Sequence, residues 1–404
     1  MLSDTKSQVV YILLVVFFVI LVSCSVPQST IATIQPSNTP IPPTNTLVPP
    51  TDTSIPSTDT PVPPTNTPMG PAPTPPPTAR PTSEPSDTGH VERGQITSQA
   101  LANNLVGDPA TRDFVIYLPR GYDTSDKRYP VVYALHGFTH GLWSMVDISM
   151  DHDAMVANDE AQEMIFVFVD GSNKFNGSMY LSSPTIGDYE SYIVRELVDH
   201  IDANYRTIAE SDSRGIIGCS MGGRGARDLA LKYPDVFGAA VSISGGYDML
   251  ADFRWDQAKV FWHTPEDFDD FSRLHWRAQQ LIANAAAVAS NPASPPFYLD
   301  MPLEEIDGEV RIVQDVRDRF AGFSLENYAR NYLDQPLRLH GLMFYHSELE
   351  GTVPVEQARA ADRLLTDLGI EHDYLEDQNR AWHCDPPDYA PVLNFLSDNL
   401  VFGQ

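Results

Sequence analysis

The chain of 404 residues is poor in basic residues and in cysteine. Lys and Arg number 26 against 54 Asp and Glu, for a formal net charge of −28 at pH 7. Residues 1–90 hold five acids and two bases, and subtracting their net −3 leaves −25 on the remainder. An acidic balance of this size disfavours nucleic acid, anionic lipid and polyanionic substrates as partners. The three cysteines are Cys24, Cys219 and Cys384, so setting aside the N-terminal one leaves a single pair. Metal-ligand patterns are equally scarce. Asp151-His152-Asp153 is a polar cluster with no ligand set at a recognisable spacing, and neither metal nor cofactor is expected. Long apolar runs are limited to Val9–Val22, about the length of a signal-peptide core and short for a membrane span.

That run ends in Leu21-Val22-Ser23-Cys24, which resembles the lipobox of a bacterial lipoprotein. The resemblance implies a signal peptide over residues 1–24, lipidation of Cys24 and attachment of the chain to the outer face of a membrane. An ordinary signal peptide or an uncleaved anchor is the alternative, and each would export the rest of the chain. Residues 25–90 are dominated by Pro, Thr, Ser and Asn, too little apolar surface to offset the entropy of ordering. Such a stalk favours extended polyproline II at roughly 3 Å per residue and could span more than roughly 100 Å. Residues 91–404 are long enough for one large domain with an insertion.

Within that domain the pattern alternates. Strands are expected at 112–118, 129–135, 164–169, 214–218, 239–244, 339–345 and 371–375. Helices are expected at 188–205, where Ile193, Leu197 and Ile201 form one stripe, and at 222–233, 355–368 and 389–400. The alternation predicts an α/β fold, a mostly parallel sheet covered by helices on both faces. Residues 251–333 break the rhythm with Trp255, Phe261, Trp262, Phe268, Phe271 and Trp276. This helical insertion precedes the expected acid-bearing strand, where it would serve as a lid or substrate wall, or as a decoration without function.

Gly218-Cys219-Ser220-Met221-Gly222 lies between an expected strand and an expected helix. This is the G-x-S-x-G nucleophile elbow, which lifts a serine hydroxyl out of an α/β sheet. Serine needs an adjacent base, which makes Ser220 the candidate nucleophile. In α/β-hydrolases the order is serine, acid, histidine, so only His372 and His383 follow the acid strand. His383 lies on a loop past the last strand and is the candidate base; His372 sits on the approach to that strand. Residues 346–354 (HSELEGTVP) resemble the H-G-x-x-D-x-x-V-P stretch of that fold, which places Glu350 at the acid position with Glu348 as the alternative. The oxyanion hole would use the backbone N–H of Met221 and one after His136-Gly137, at Phe138. His136 itself is expected to pack rather than react.

The wider pattern resembles the putative-esterase family of α/β-hydrolases, which holds feruloyl and acetyl-xylan esterases, esterase D and mycolyltransferases. The matching pieces are residues 128–137 (RYPVVYALHG), Asp170-Gly171, Gly187-Asp188-Tyr189-Glu190, Tyr205-Arg206-Thr207 and residues 218–223. The resemblance implies hydrolysis of a carboxylic ester through an acyl-Ser220 intermediate without cofactor. For an exported, tethered member it implies acylated polysaccharide or a related small ester as substrate. Acyl transfer to a sugar, as in mycolyltransferases, uses the same residues, and a noncatalytic binding module could use the same fold. The family has Gly-Gly before its histidine, where this chain has Arg380-Ala381-Trp382. The Cys-Ser … His-Cys arrangement looks like that of tannase-type esterases, and contact between Ser220 and His383 would bring Cys219 and Cys384 close. The pair is then a disulfide, or else two buried thiols.

Overall fold

The computed structural model describes residues 88–250, 252–386 and 388–403. The signal segment, Cys24 and the linker up to residue 87 lie outside the described residues. Eight strands form one sheet: β1 (His90–Thr97), β2 (Thr111–Leu118), β3 (Val131–Leu135), β4 (Ile165–Val169), β5 (Arg214–Cys219), β6 (Ala239–Ile243), β7 (Gly341–Ser347) and β8 (Asp373–Asp377). Their order is β1-β2-β4-β3-β5-β6-β7-β8. β2 runs antiparallel to both β1 and β4, and all other pairings are parallel. This is the α/β-hydrolase arrangement.

The sequence explains the middle of the sheet. β3 (VVYAL), β4 (IFVFV) and β6 (AAVSI) are buried at every position, as parallel strands covered on both faces must be. Ile193, Leu197 and Ile201 are buried along helix Tyr189–Asn204, whose centre, Tyr192–Leu197, is a π turn. Asp188 starts that helix by accepting a hydrogen bond from the Ser191 backbone N–H at 3.0 Å. Among the described residues, no helix is long and apolar enough to cross a membrane.

The segment between β6 and β7 is not loosely appended. Trp255 is fully buried, its ring 5.2 Å from that of Phe320 and its indole N–H on the Met249 carbonyl oxygen. Phe268, Phe271 and Phe297 gather around Phe175, with ring centroids 5.2 to 6.3 Å from it. Helices Asp252–Val260, Phe268–Arg273, Trp276–Val288, Gln314–Phe320 and Leu325–Leu333 make up most of this segment. A small hairpin, Leu303–Ile306 with Glu309–Ile312, completes it.

The Asp151-His152-Asp153 cluster is structural. Asp153 accepts hydrogen bonds from the Gly89 N–H and the Tyr117 hydroxyl and pairs with Arg120. His152 is fully buried between Tyr117 and Phe166, with Nε2 against the Gln162 carbonyl oxygen and no partner for Nδ1 among the described residues. Burial pushes its imidazole down to about 4 from an ordinary 6.5, because the charged ring has no solvent. Between those values the unfolded chain holds the extra proton, so this histidine's contribution is complete above pH 6.5 and is lost as pH falls towards 4. The expected loss is about 3 kcal/mol. Urea unfolding of the parent between pH 7 and 4 should show this slope, and His152→Phe should flatten it; equal slopes in both proteins would contradict it.

Candidate active site

The elbow is built by close backbone contact. Ser220 has φ 56° and ψ −114°, a conformation that costs a non-glycine residue about 1–3 kcal/mol. It directly follows β5 and is the N-cap residue of helix Met221–Lys232. A Cβ on Gly222 would lie 1.9 Å from the Leu135 carbonyl oxygen, and one on Gly218 would lie 2.3 Å from the Gly222 carbonyl. Gly223 is pressed in the same way against the Ile243 carbonyl oxygen, at 2.6 Å. The glycines of the motif are therefore required by contact of the helix with β3, β5 and β6. The first turn of the helix presents backbone N–H groups that its own carbonyls cannot satisfy, beginning at Met221.

Across the cleft, β7 and β8 end in the loops that carry Glu350 and His383. His383 Nδ1 lies 3.1 and 3.2 Å from the two carboxylate oxygens of Glu350. The Glu350 side chain is only 1% exposed and also accepts the Val353 backbone N–H at 2.6 Å. With Nδ1–H donating to Glu350, Nε2 is left as an acceptor. Glu348 is elsewhere, 37% exposed and paired with Arg359 at 3.1 Å. His372 is also remote, between Asp362 and the Ile370 carbonyl. Among the described residues no hydrogen bond joins Ser220 Oγ to His383; such contacts commonly tighten only when substrate binds.

What brings Ser220 and His383 together is covalent. Cys219 and Cys384 form a disulfide with Cα atoms 5.4 Å apart. Cys219 Sγ is 3.5 Å from the His383 carbonyl oxygen, and a ring nitrogen of His383 lies within 4.8 Å of both sulfurs. Bonded to each other, those sulfurs are not thiolate ligands, so the trio with His383 is no metal centre.

Phe138 and Met221 meet over Gly177, where a Cβ would touch Met221 Sδ at 2.5 Å and Phe138 Cδ2 at 3.0 Å. His136, buried, accepts the Gly171 N–H at Nε2 (3.0 Å), with Nδ1 against the Gly137 carbonyl (2.8 Å). Burial holds its imidazole below the ordinary range, neutral and fixed in place.

Several positioning residues carried no motif. Ser347, in place of a glycine, donates to the Arg380 carbonyl at 2.6 Å and ties down the loop before His383. Trp382 donates its indole N–H to Asp377 at 2.8 Å and packs on Tyr345, ring centroids 4.8 Å apart. Tryptophan thus holds a loop where the family uses paired glycines. His140, beyond Phe138, is pushed below its ordinary range by burial and then by nearby His383.

The disulfide closes a loop of 165 residues, for which chain entropy predicts about 5 kcal/mol of stabilisation. Thiol titration of the unfolded chain should find two more thiols after reduction than before. Cys219→Ala/Cys384→Ala should lower stability by roughly 2–5 kcal/mol. No gain in thiols on reduction would refute the bond.

The model for the family described as "Putative esterase" matches residues 109–311, half of the chain. The match includes the elbow and ends before Glu350 and His383. An esterase of Mycobacterium tuberculosis is 35% identical over 140 residues, 34% of this chain and 30% of that protein. An endo-1,4-beta-xylanase/feruloyl esterase of Xylanibacter ruminicola is 31% identical over 173 residues, 41% of this chain and 23% of that protein. The chain thus spans less than a third of the length of these relatives. Among solved structures, a ferulic acid esterase superposes with a TM-score of 0.52 at 17% identity, covering 78% of this chain and all of that one, a likeness of fold. An elbow serine bonded through its neighbour to the loop of a carboxylate-held histidine, on this sheet order and with this match, means that the chain belongs to the putative-esterase family.

Proposed function

We propose that the chain is a serine carboxylic-ester hydrolase. The observation that carries this reading is the Glu350–His383 pair, tethered beside a strained elbow serine. His383 Nε2 takes the hydroxyl proton as Ser220 Oγ bonds to the ester carbonyl carbon. The carbonyl electron pair moves onto oxygen, which the backbone N–H groups of Met221 and Phe138 stabilise. The tetrahedral species collapses, the alcohol leaves with the proton from His383, and acyl-Ser220 remains. Water then repeats the sequence, releasing the carboxylic acid and restoring Ser220. Buried Glu350 keeps the imidazole in the right tautomer and offsets its transient charge.

The reading extends to location and substrate. An apolar run ending at Cys24, a Pro/Thr-rich stalk and a disulfide all fit a catalytic domain held outside the cell on a lipid anchor. Acylated polysaccharide suits an enzyme so placed, and one relative is named a xylanase/feruloyl esterase.

Purified chain and its Ser220→Ala variant, assayed on aryl acetate, butyrate and feruloyl esters, test the reading. Ser220→Ala should lower turnover by roughly 10⁴-fold or more. A fluorophosphonate should phosphonylate the parent with loss of fluoride, adding the mass of the reagent less HF, and should leave the variant unmodified. Glu350→Gln should cost on the order of 10³-fold and Glu348→Gln less than about tenfold. Undiminished turnover by Ser220→Ala would end the proposal, and the reverse ranking of the glutamates would move the acid.

A further inference from the structure

The pocket onto which Ser220 opens is lined with cations. Arg224, Arg254 and Arg277 stand in its wall together with Ser220 and Met221. Among the described residues that line it, none is acidic. In a chain with 26 basic residues and a net charge of −28, three guanidiniums on one small wall are not a by-product of composition.

The three are held differently. Arg224, one turn into the elbow helix, is a structural member: it donates to the Met179 carbonyl at 2.9 Å and to Asn284 at 3.1 Å, and Asp228 is 3.6 Å away. Arg254 comes from the insertion and reaches in over Gly246, where a Cβ would lie 2.9 Å from its Nη2. Its Nη1 is 3.4 Å from Gln280 Oε1. Burial pushes its guanidinium down to about 10, and the charges of Arg224 and Arg277 act in the same direction against Asp248 and Glu350. Arg277 lies in the first turn of helix Trp276–Val288, with its guanidinium 4.3 Å from the centre of the Trp276 ring. Among the described residues it forms no ion pair. Arg277 and Arg254 thus stand in one wall of the pocket that holds Ser220, and the planar forks of their guanidiniums suit the two oxygens of a carboxylate.

We infer that Arg254 and Arg277 form an anion subsite of the catalytic pocket, so that the favoured substrate is an ester carrying a carboxylate close to the scissile bond. The inference rests on the ester-hydrolase reading for its turnover and on the pocket alone for its binding. A hemiester of a dicarboxylic acid, or an ester of an acidic sugar, would set its carboxylate against this cationic wall, whereas an apolar acyl chain offers the guanidiniums no acceptor. The carboxylate contact exists before and during reaction, so its effect belongs mainly in KM.

The test compares aryl hemiesters of glutarate and adipate with the valerate and hexanoate esters of the same aryl alcohol and with a trimethylammonio-hexanoate ester. The parent should prefer each hemiester over its neutral partner in kcat/KM and should handle the cationic ester worst. Arg277→Gln should reduce the hemiester-to-neutral ratio by roughly tenfold, through KM. Arg254→Gln should reduce it further, with Arg254→Lys between the two. In a second arm, glutarate or adipate dianion should raise the melting temperature of the Ser220→Ala protein, and Arg277→Gln in that background should abolish the rise. Arg277 is only partly buried, so its variant keeps the test open if Arg254→Gln does not fold. Turnover of neutral esters with no preference for hemiesters, or a ratio unmoved by Arg277→Gln, overturns the subsite and leaves the hydrolase reading standing. No turnover of any ester overturns the hydrolase reading, and the melting shift then decides the anion subsite by itself: present in the parent and lost in Arg277→Gln supports it, absent refutes it.

Discussion

Backbone contact at the elbow sets the terms for the rest of the molecule. Helix Met221–Lys232 can start where it does only because Gly222 meets the Leu135 carbonyl and Gly223 the Ile243 carbonyl without side chains between them. That approach forces Ser220 to φ 56° and directs its side chain out of the sheet. β3, β5 and β6 are then committed to lie side by side, with Leu135 opposite Gly218 and Gly218 opposite Ser242. An energetically unfavourable serine conformation persists because moving it would break the packing of a helix on three buried strands.

The second half of the site is positioned by anchors rather than by the sheet alone. β8 is mostly half-buried, and the His383 loop beyond it has little apolar surface of its own to hold it. Ser347, the Trp382 indole and the Cys219–Cys384 bond restrain that loop from three directions. The insertion contributes otherwise: Trp255 and the cluster at Phe175 root it in the core, so the side chains it sends towards Ser220 stand on a fixed wall. Substrate selectivity can therefore diverge within the insertion while the elbow stays unchanged.

Much of the architecture is legible in the sequence where one rule dominates. Buried parallel strands are apolar throughout, and the elbow glycines sit at a spacing that only their contact explains. β1 is not legible, because HVERGQIT is a half-exposed edge strand whose alternation carries no apolar face. The hairpin around Asp307-Gly308 also escapes the strand pattern, although both residues have positive φ and the pair is a known turn signal. Spacing against the H-G-x-x-D-x-x-V-P pattern favours Glu350 over Glu348, but the burial of Glu350 and its bond to the Val353 N–H are revealed only by the folded loop. Arg224, Arg254 and Arg277 share no interval that a motif could express. They meet because a helix of the core and two of the insertion converge there.

The 165 residues between Cys219 and Cys384 have a consequence in time. At about 5–20 residues per second, synthesis from one cysteine to the other takes roughly 10 to 30 s. Throughout that interval the elbow serine is made but its histidine is not. The strands that support the elbow are complete early, whereas the partner residues arrive only after the whole insertion has been added. On the serine-hydrolase reading proposed above, a nascent chain is inert towards esters in its surroundings, and reactivity switches on as a single late event when the last loops join the sheet.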